Sequence, residues 1–520
     1  MKDLAAVALG EQEADLVVRG VDLVNVYTRE VLKGYSVATK GKWIAYVGPD
    51  ASHTIGPGTK VIDGAGRALI PGFVDGHTHM LYYASPQEFL RYVMRGGTTT
   101  IITELMELTF PLGYKGILGY LDSLRDQPIK IFSTVPPSVT LSRHAAAKAP
   151  TLAQLLELLK RDDVLGVGEG FWQEVLRGER NFPALSAEAR ALGKTSEGHA
   201  AGCRGQRLAA YLNYGVSSCH ESVSAEDVVE RLRFGISTMI REGSIRKELE
   251  AIAKIKDLGL DLRRAVLVTD GADPRDLVEK GYLEHVVQRA IDAGFDPVLA
   301  VQMASLNVAE HFRLDGVLGG IAPAKYADMV LIPDLRTIKA EVVISNGVVI
   351  AQDGKLLVEP RPAVFRGNEL KTIHLSTNDC VIRVPKKEVS RLIPPHANAR
   401  RQEFLRGLGA MMPDECGHLL GHIPVIILVA PRAIGGVRIP VCPGLRIQAV
   451  YREYFDLAAF DQRMAGSDHA KIFKFVKSTG LGRENNHRLA IITIYFQLHL
   501  VSQIRAEPLM IFDLHNPLSV

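Results

Sequence analysis

The sequence predicts an α/β chain: a (β/α)8 TIM-like barrel, a flanking β-sandwich domain built from segments before and after the barrel, and a divergent C-terminal region. Three observations carry this. Residues 15–70 and 321–364 read as alternating, β-branched runs broken by turn residues. Residues 71–320 alternate short apolar runs with longer amphipathic segments, as repeated βα units around a parallel sheet do. Beyond about residue 365 no clear period remains. The expected division is therefore 1–70 as the first part of the flanking β domain, 71–320 as the barrel, 321–364 as the second part of the β domain, and 365–520 as a divergent or truncated C-terminal region.

In chain order, LVVRGVDLVNVYT, YSVATKGKWIAYVG and TKVIDGAGRALI supply the first strands, with Gly20, the Lys-Gly pairs, Gly64 and Gly66 as turn markers. Candidate barrel strands follow at 73–76, 98–103, 129–134, 164–169, 194–199, 215–220, 237–242 and 264–270, the eight that a closed barrel requires. Helices lie between them. SAEDVVERLRFG offers Ser224 as N-cap, Asp227 three residues on, and Gly235 as the stop. SIRKELEAIAKIKDLG repeats Ile245, Leu249, Ile252 and Ile255 at helical spacing. In the returning β segment, Asn346-Gly347 marks a tight hairpin turn.

Composition narrows the function. The 520 residues are 47% hydrophobic and 23% charged, as in an ordinary globular protein. A net charge of +3, with 61 basic against 58 acidic residues, gives no footprint for nucleic acid. The five cysteines are odd in number, dispersed and without a C-x-x-C, which fits a reducing compartment. The N-terminus makes a poor signal peptide, and the longest apolar run, Ile423 to Ala430, falls far short of the roughly 20 residues of a membrane span. We expect a cytoplasmic protein with no membrane partner.

In a (β/α)8 barrel, functional side chains come from the C-terminal ends of the strands. The first candidate strand ends in His77 and His79, the fourth in Glu169, the fifth in His199, the sixth in His220 and the eighth in Asp270. Singly, each has a bland reading: a loop histidine, a solvated carboxylate or, for Asp270 and Asp273, a cap on the helix at Pro274. Together, four histidines and two carboxylates at one end of a barrel would be costly to bury unless a metal satisfied them. Such a set without thiolate suits Zn, Mn or Fe, and six ligands suffice for two ions with Glu169 between them. Cys219, one residue before His220, should point to the opposite face. Trp172, Tyr82 and Tyr83 read equally as packing residues or substrate platforms, and GVLGG (316–320) lacks the context of a phosphate loop.

The order of these features, from PGFVDGHTH (71–79) through the strand-end Glu, two single histidines and strand-end Asp to the returning β segment, resembles the amidohydrolase superfamily of metal-dependent hydrolases. RGGTTTIITE (95–104), VLGVGEG (164–170), and the long stretches 196–244 and 267–335 closely resemble adenine deaminases; the likeness covers residues 15 to 360 or so. It implies hydrolytic deamination of adenine to hypoxanthine and ammonia, in purine salvage, by a homo-oligomeric enzyme acting on a small purine base. It also implies two divalent ions, Mn or Fe with Zn as a further candidate. His77 and His79 would hold one ion, His199 and His220 the other, and Glu169 would bridge. Asp270 would be ligand and proton carrier, Glu104 and Glu107 further catalytic carboxylates, and Glu221, Arg241 and Glu242 would face the substrate.

Several positions depart from the family pattern. Met80 leads into Leu81-Tyr82-Tyr83 where a Glu-Ser-Ser-like stretch is usual, and Glu104-Leu105-Met106-Glu107 replaces an Asp-Pro-His-Glu motif. Cys219-His220-Glu221 stands for Asp-His-Glu, and Asp270-Gly271 for Asp-Asp. The family's C-terminal domain survives in fragments such as KSTGLG (477–482) and FDLHNP (512–517). Alternatives are a deaminase of another purine, a cyclic amide hydrolase of the dihydroorotase or hydantoinase type, which would want a lysine where Glu169 stands, and a catalytically silent scaffold.

Overall fold

The computed structural model describes residues 2–81, 84–109, 112–137 and 149–362, together with four short strands further on. Tyr82, Tyr83, KSTGLG and FDLHNP lie outside the described residues. Residues 1–372 form one unit and 373–520 a second. In the second, Val381–Val384 pairs antiparallel with Val437–Pro440, and Ile426–Val429 with Ala490–Thr493.

The first unit opens with a helix, Lys2–Ala8, that buries Leu4 and Val7. Five strands follow: β1 (Leu16–Asn25), β2 (Glu30–Lys40), β3 (Trp43–Gly48), β4 (Lys60–Asp63) and β5 (Ala68–Pro71). The barrel strands are β6 (Phe73–Thr78), β7 (Thr98–Thr103), β8 (Lys130–Val135), β9 (Val164–Phe171), β10 (Thr195–His199), β11 (Ser218–Cys219), β12 (Ser237–Arg241) and β13 (Ala265–Val268). After them come β14 (Met329–Ile332), β15 (Val342–Ser345), β16 (Val348–Gln352) and β17 (Lys355–Leu356).

One mixed nine-stranded sheet runs β17-β16-β15-β14-β5-β1-β2-β3, with β4 on β1, so strands from both sides of the barrel join. Period-two alternation gives this sheet two buried faces. Leu69, Met329 and Leu331 enter the sheet's own core with Val18, Leu23 and Ile44. Ile70, Val330 and Ile332 turn into the large core shared with the barrel helices. Gly20 and Gly34, expected as turns, lie inside β1 and β2, at φ 69° and 71°. The register shifts between Val18 and Val21, so Gly20 sits at a bulge; only glycine enters that backbone region without penalty. Asn346-Gly347 is the β15–β16 turn, with both residues at positive φ as a type I′ turn demands.

Parallel pairing runs β6 to β10 in one ladder and β11 to β13 in another. Side chains close the two seams between them. At the β10–β11 seam, Ser217 N donates to Ser196 O at 2.8 Å and Ser217 Oγ accepts from Ser196 N at 3.1 Å. At the β13–β6 seam the buried Asp75 carboxylate takes the place of a ladder. It accepts from Thr269 Oγ1 at 2.7 Å, Thr269 N at 3.4 Å and His77 N at 3.3 Å. The barrel interior holds Val74, Ile102, Leu165, Met239, Val266 and Val268, stoppered by Val308 and Phe312.

The helix Ala225–Arg233 has Ser224 as N-cap, its side chain accepting from Asp227 N. The helix expected from Ile245 is shorter: Leu249–Ile252, then a 3-10 turn at Ala253–Asp257. Glu242 bridges to Lys247, and Glu248 N donates to Arg241 O at 3.1 Å. These bonds fold residues 243–248 back on the strand end and delay the helix.

Because three buried donors share the Asp75 carboxylate, Asp75→Ala is expected to cost about 3 kcal/mol or more. The check is a lower urea midpoint at unchanged slope.

Candidate metal centre

Alternation along the strands decides which residues reach the barrel mouth. Val266 and Val268 fill the interior, so Asp270, two residues on, continues on that side above them. Met239 precedes Arg241 in the same way. Ser218 donates to Glu197 inside the barrel, which places His220 inward. Cys219 lies on the opposite side, where its Sγ accepts from Arg231 Nε at 3.3 Å. His199 follows Glu197, whose carboxylate meets His311 Nε2 at 2.9 Å. Asp270 has a φ of 56°, unusual for a residue with a side chain, and is fixed there by its N–H bond to His77 O at 3.1 Å.

Two donor groups result. His77, His79, Glu169 and Asp270 form one; Glu169, His199 and His220 form the other. Within the first, His77 Nε2 lies 3.2 Å from both Glu169 Oε1 and Asp270 Oδ1, and His79 Nε2 lies 3.1 and 3.4 Å from the same atoms. A tetrahedral ion with bonds of about 2.0–2.1 Å has ligand atoms roughly 3.3–3.4 Å apart, so these four atoms already stand at coordination spacing. In the second group, Glu169 Oε2 is 2.8 Å from His199 Nδ1, and Glu169 Oε1 is 3.6 Å from His220 Nε2.

The charge balance points the same way. Glu104, Glu169, Glu221, Glu248 and Asp270 are five buried carboxylates, and Arg241 is the buried guanidinium among them. Burial opposes ionisation of Glu169, yet the charge of His220, hydrogen bonds from His199 and His79 and the nearby His77 ring hold its pKa well below the usual range. Asp270 is lowered likewise: burial opposes it, while His77, His79 and Arg241 overcome that cost. Burial also opposes protonation of His77, but Asp270 and Glu169 raise it to about 10. A proton there and a divalent cation are alternative answers to the same negative charge. The buried His77 Nε2 and His220 Nδ1 have no hydrogen-bond partner among the described residues, which a cation would remedy for a nitrogen facing it.

The remaining expected residues divide. Glu107 Oε1 bonds His79 Nδ1, the ring nitrogen facing away from Glu169, and so orients that imidazole. Glu104 lies 3.7 Å from His77 Nδ1, and burial pushes its pKa up to about 7. Glu221 Oε1 is 3.4 Å from His220 Nε2 and 3.6 Å from His199 Nδ1, beside the second donor group. Arg241 bonds Glu221, Asp270 and Glu248. Glu242 faces away: its contacts are Leu249 N at 3.3 Å and Arg289 Nε at 3.6 Å. Asp273, not Asp270, caps the helix at Pro274, accepting from Asp276 N at 2.9 Å. Trp172 donates to Ala201 O at 2.8 Å. Sequence reasoning passed over Glu248 and Arg231, both buried; in a charged run neither shows a signal that separates it from a solvated residue.

The amidohydrolase family model matches residues 68–357, more than half of the chain. The chain belongs to the amidohydrolase family. Its relatives within that family include adenine deaminases. It is 37% identical to the adenine deaminase of Cenarchaeum symbiosum (strain A), over 72% of this chain and 62% of that one. It is 40% identical to that of Rubrobacter xylanophilus, over 72% and 63% of the two chains. This amidohydrolase thus spans somewhat over three-fifths of the length of those relatives. Among solved structures, the β-aspartyl dipeptidase of Fervidobacterium islandicum AW-1 superposes with a TM-score of 0.50 at 19% identity, over 66% of this chain and 98% of that one. At that identity the likeness concerns the fold. Family membership and the donor set together mark a divalent-metal site.

Replacing both His77 and His79 by Ala is expected to lower the bound divalent metal measured by elemental analysis. His311→Ala, which alters the barrel's other buried histidine–carboxylate pair, should keep wild-type metal content.

Proposed function

We propose that this amidohydrolase removes the exocyclic amino group of adenine by hydrolysis, giving hypoxanthine and ammonia. The observation that carries the reading is the two-faced carboxylate of Asp270. Its Oδ1 lies against His77 and His79, and its Oδ2 is held 2.9 Å from Arg241 Nη1. Likeness to adenine deaminases over 72% of this chain supports the choice of substrate. In the same reading His77, His79, Glu169 and Asp270, with His199 and His220 beside Glu169, would hold divalent metal, Mn or Fe before Zn.

Divalent metal held by these donors would lower the pKa of adjacent water and so would supply a nucleophile near neutral pH. The protein's part is proton management and orientation. Asp270 accepts the proton that the attacking water gives up as the carbon–oxygen bond forms at the ring carbon bearing the amine. It returns that proton to the exocyclic nitrogen as the carbon–nitrogen bond breaks, so that ammonia leaves and no proton is lost. Glu107 holds His79, and Glu221, beside His199 and His220, lines the second side of the mouth. Glu104, buried beside His77, offers a carboxylate oxygen to a ring nitrogen.

The test is ammonia release by protein loaded with Mn2+ or Fe2+, across purines, pyrimidines and cyclic amides. Adenine should be the best substrate; turnover confined to cyclic amides would refute the reading. Asp270→Asn keeps the side chain's shape and an oxygen toward the donors but loses the base. It should reduce turnover by about 10²–10⁴-fold with metal mostly retained. A stable, metal-loaded and fully active Asp270→Asn protein would remove Asp270 from the chemistry.

A further inference from the structure

Arg241 is the residue whose donors can be counted in full. A guanidinium has five N–H groups in a fixed planar fork. Nε donates to Glu248 Oε2 at 2.9 Å. Nη2 donates to Glu248 Oε1 at 2.8 Å and to Glu221 Oε2 at 3.3 Å. Nη1 donates to Glu221 Oε1 at 2.6 Å and to Asp270 Oδ2 at 2.9 Å. Every donor is spent on a carboxylate of the chain itself, and the side chain is only 3% exposed. None remains for a small molecule.

The three carboxylates come from separate elements. Glu221 follows His220 beyond β11, Asp270 lies beyond β13, and Glu248 sits where the chain folds back after β12, its own N–H donating to Arg241 O. Without the guanidinium, Glu221 and Asp270 would meet as buried like charges at the edge of the donor cluster. With it, Asp270 Oδ2 is pinned, and Oδ1 is left aimed at His77 and His79. We infer that Arg241 is a positioning residue for the metal centre, anchored from behind by Glu248, and that it does not contact substrate. Lysine could not replace it, because three donors radiating from one nitrogen cannot span three carboxylates in a plane.

The inference rests on the reading of Asp270 as metal ligand and proton carrier, so its test needs a readout independent of turnover. Arg241→Lys and Glu248→Gln are compared with wild type in the full-length chain. Mn2+ affinity is measured by titration calorimetry, and kcat and KM on the best substrate of the panel, each referred to the folded fraction. Glu248→Gln loosens the anchor without touching Glu221, Asp270 or any histidine, and it carries the test if Arg241→Lys fails to fold.

Positioning predicts that both variants lose about 10–100-fold in Mn2+ affinity or in kcat, with KM close to the wild-type value. A raised KM with kcat preserved would show that Arg241 binds substrate and would overturn the inference. Wild-type Mn2+ affinity and kcat in folded Glu248→Gln would overturn it too, reducing the clamp to a structural ion cluster. If wild-type protein turns over nothing in the panel, the aminohydrolase reading fails. The clamp then stands or falls on Mn2+ affinity alone: a loss in the variants supports it, and wild-type affinity overturns it.

Discussion

Glu169 turns Oε1 toward His77, His79 and His220, and Oε2 toward His199. A carboxylate so far from water costs several kcal/mol unless charge and hydrogen bonds surround it. Its surroundings therefore cannot vary freely. A side chain at Gly168, just before it in β9, would have to displace the Glu104 carboxylate. The strands that bring the histidines must end at one level around it. Carboxylates added nearby must each find a cation, a proton or a metal. Glu104 answers by moving toward neutrality, Glu221 and Asp270 by sharing Arg241, and Glu169 by its four histidines.

The barrel pays for this convergence at its seams. β13 and β6 belong to different ladders, and β6, which leads into His77 and His79, also departs from regular register with β7 on its other side, between Asp75 and Thr78. The Asp75 carboxylate, Thr269 and Tyr282 fill the gap with side-chain hydrogen bonds. The same seam fixes Asp270 in the left-handed region through His77 O. Local strain at Asp270 is thus supported by a buried network that reaches the donor cluster through the backbone of His77.

How much was legible follows from the physics of each element. Parallel strands buried on both faces read as short apolar or β-branched runs, which made β6 to β9, β12 and β13 legible; β10 (TSEGH) and β11 carry no such run and were placed by the βα alternation around them, and the strand ends pointed to His77, His79, Glu169, His199, His220 and Asp270. The ladder of β11 is only two residues long, and at its β10 seam the Ser217 side chain accepts from Ser196 N, a contact that apolar periodicity does not report. Gly20 read as a turn because a bulge and a turn ask the same conformational freedom of glycine. The helix after β12 read too long because Glu248 looks like a solvated helix residue until Arg241 is seen to need it. The forks of Arg241 join residues 7, 20 and 29 positions away, separations at which no local pattern operates.

Asp270 belongs to both halves of this arrangement, and that explains its constraints. Toward β6 and β9 it is one corner of a four-atom group at coordination spacing; toward β11 and β12 it is one of three carboxylates gathered by a single guanidinium. Its side chain has just two rotatable bonds with which to meet both demands, and the backbone supplies the rest by adopting φ 56°, followed by Gly271 at φ 102°. A glutamate there would place the carboxylate one methylene further along. It would have to abandon either the histidines or the fork, while the strained backbone served neither. The residue type, its left-handed conformation and the glycine after it are consequently one requirement: a carboxylate close to the barrel wall that faces the donor cluster with one oxygen and is immobilised through the other.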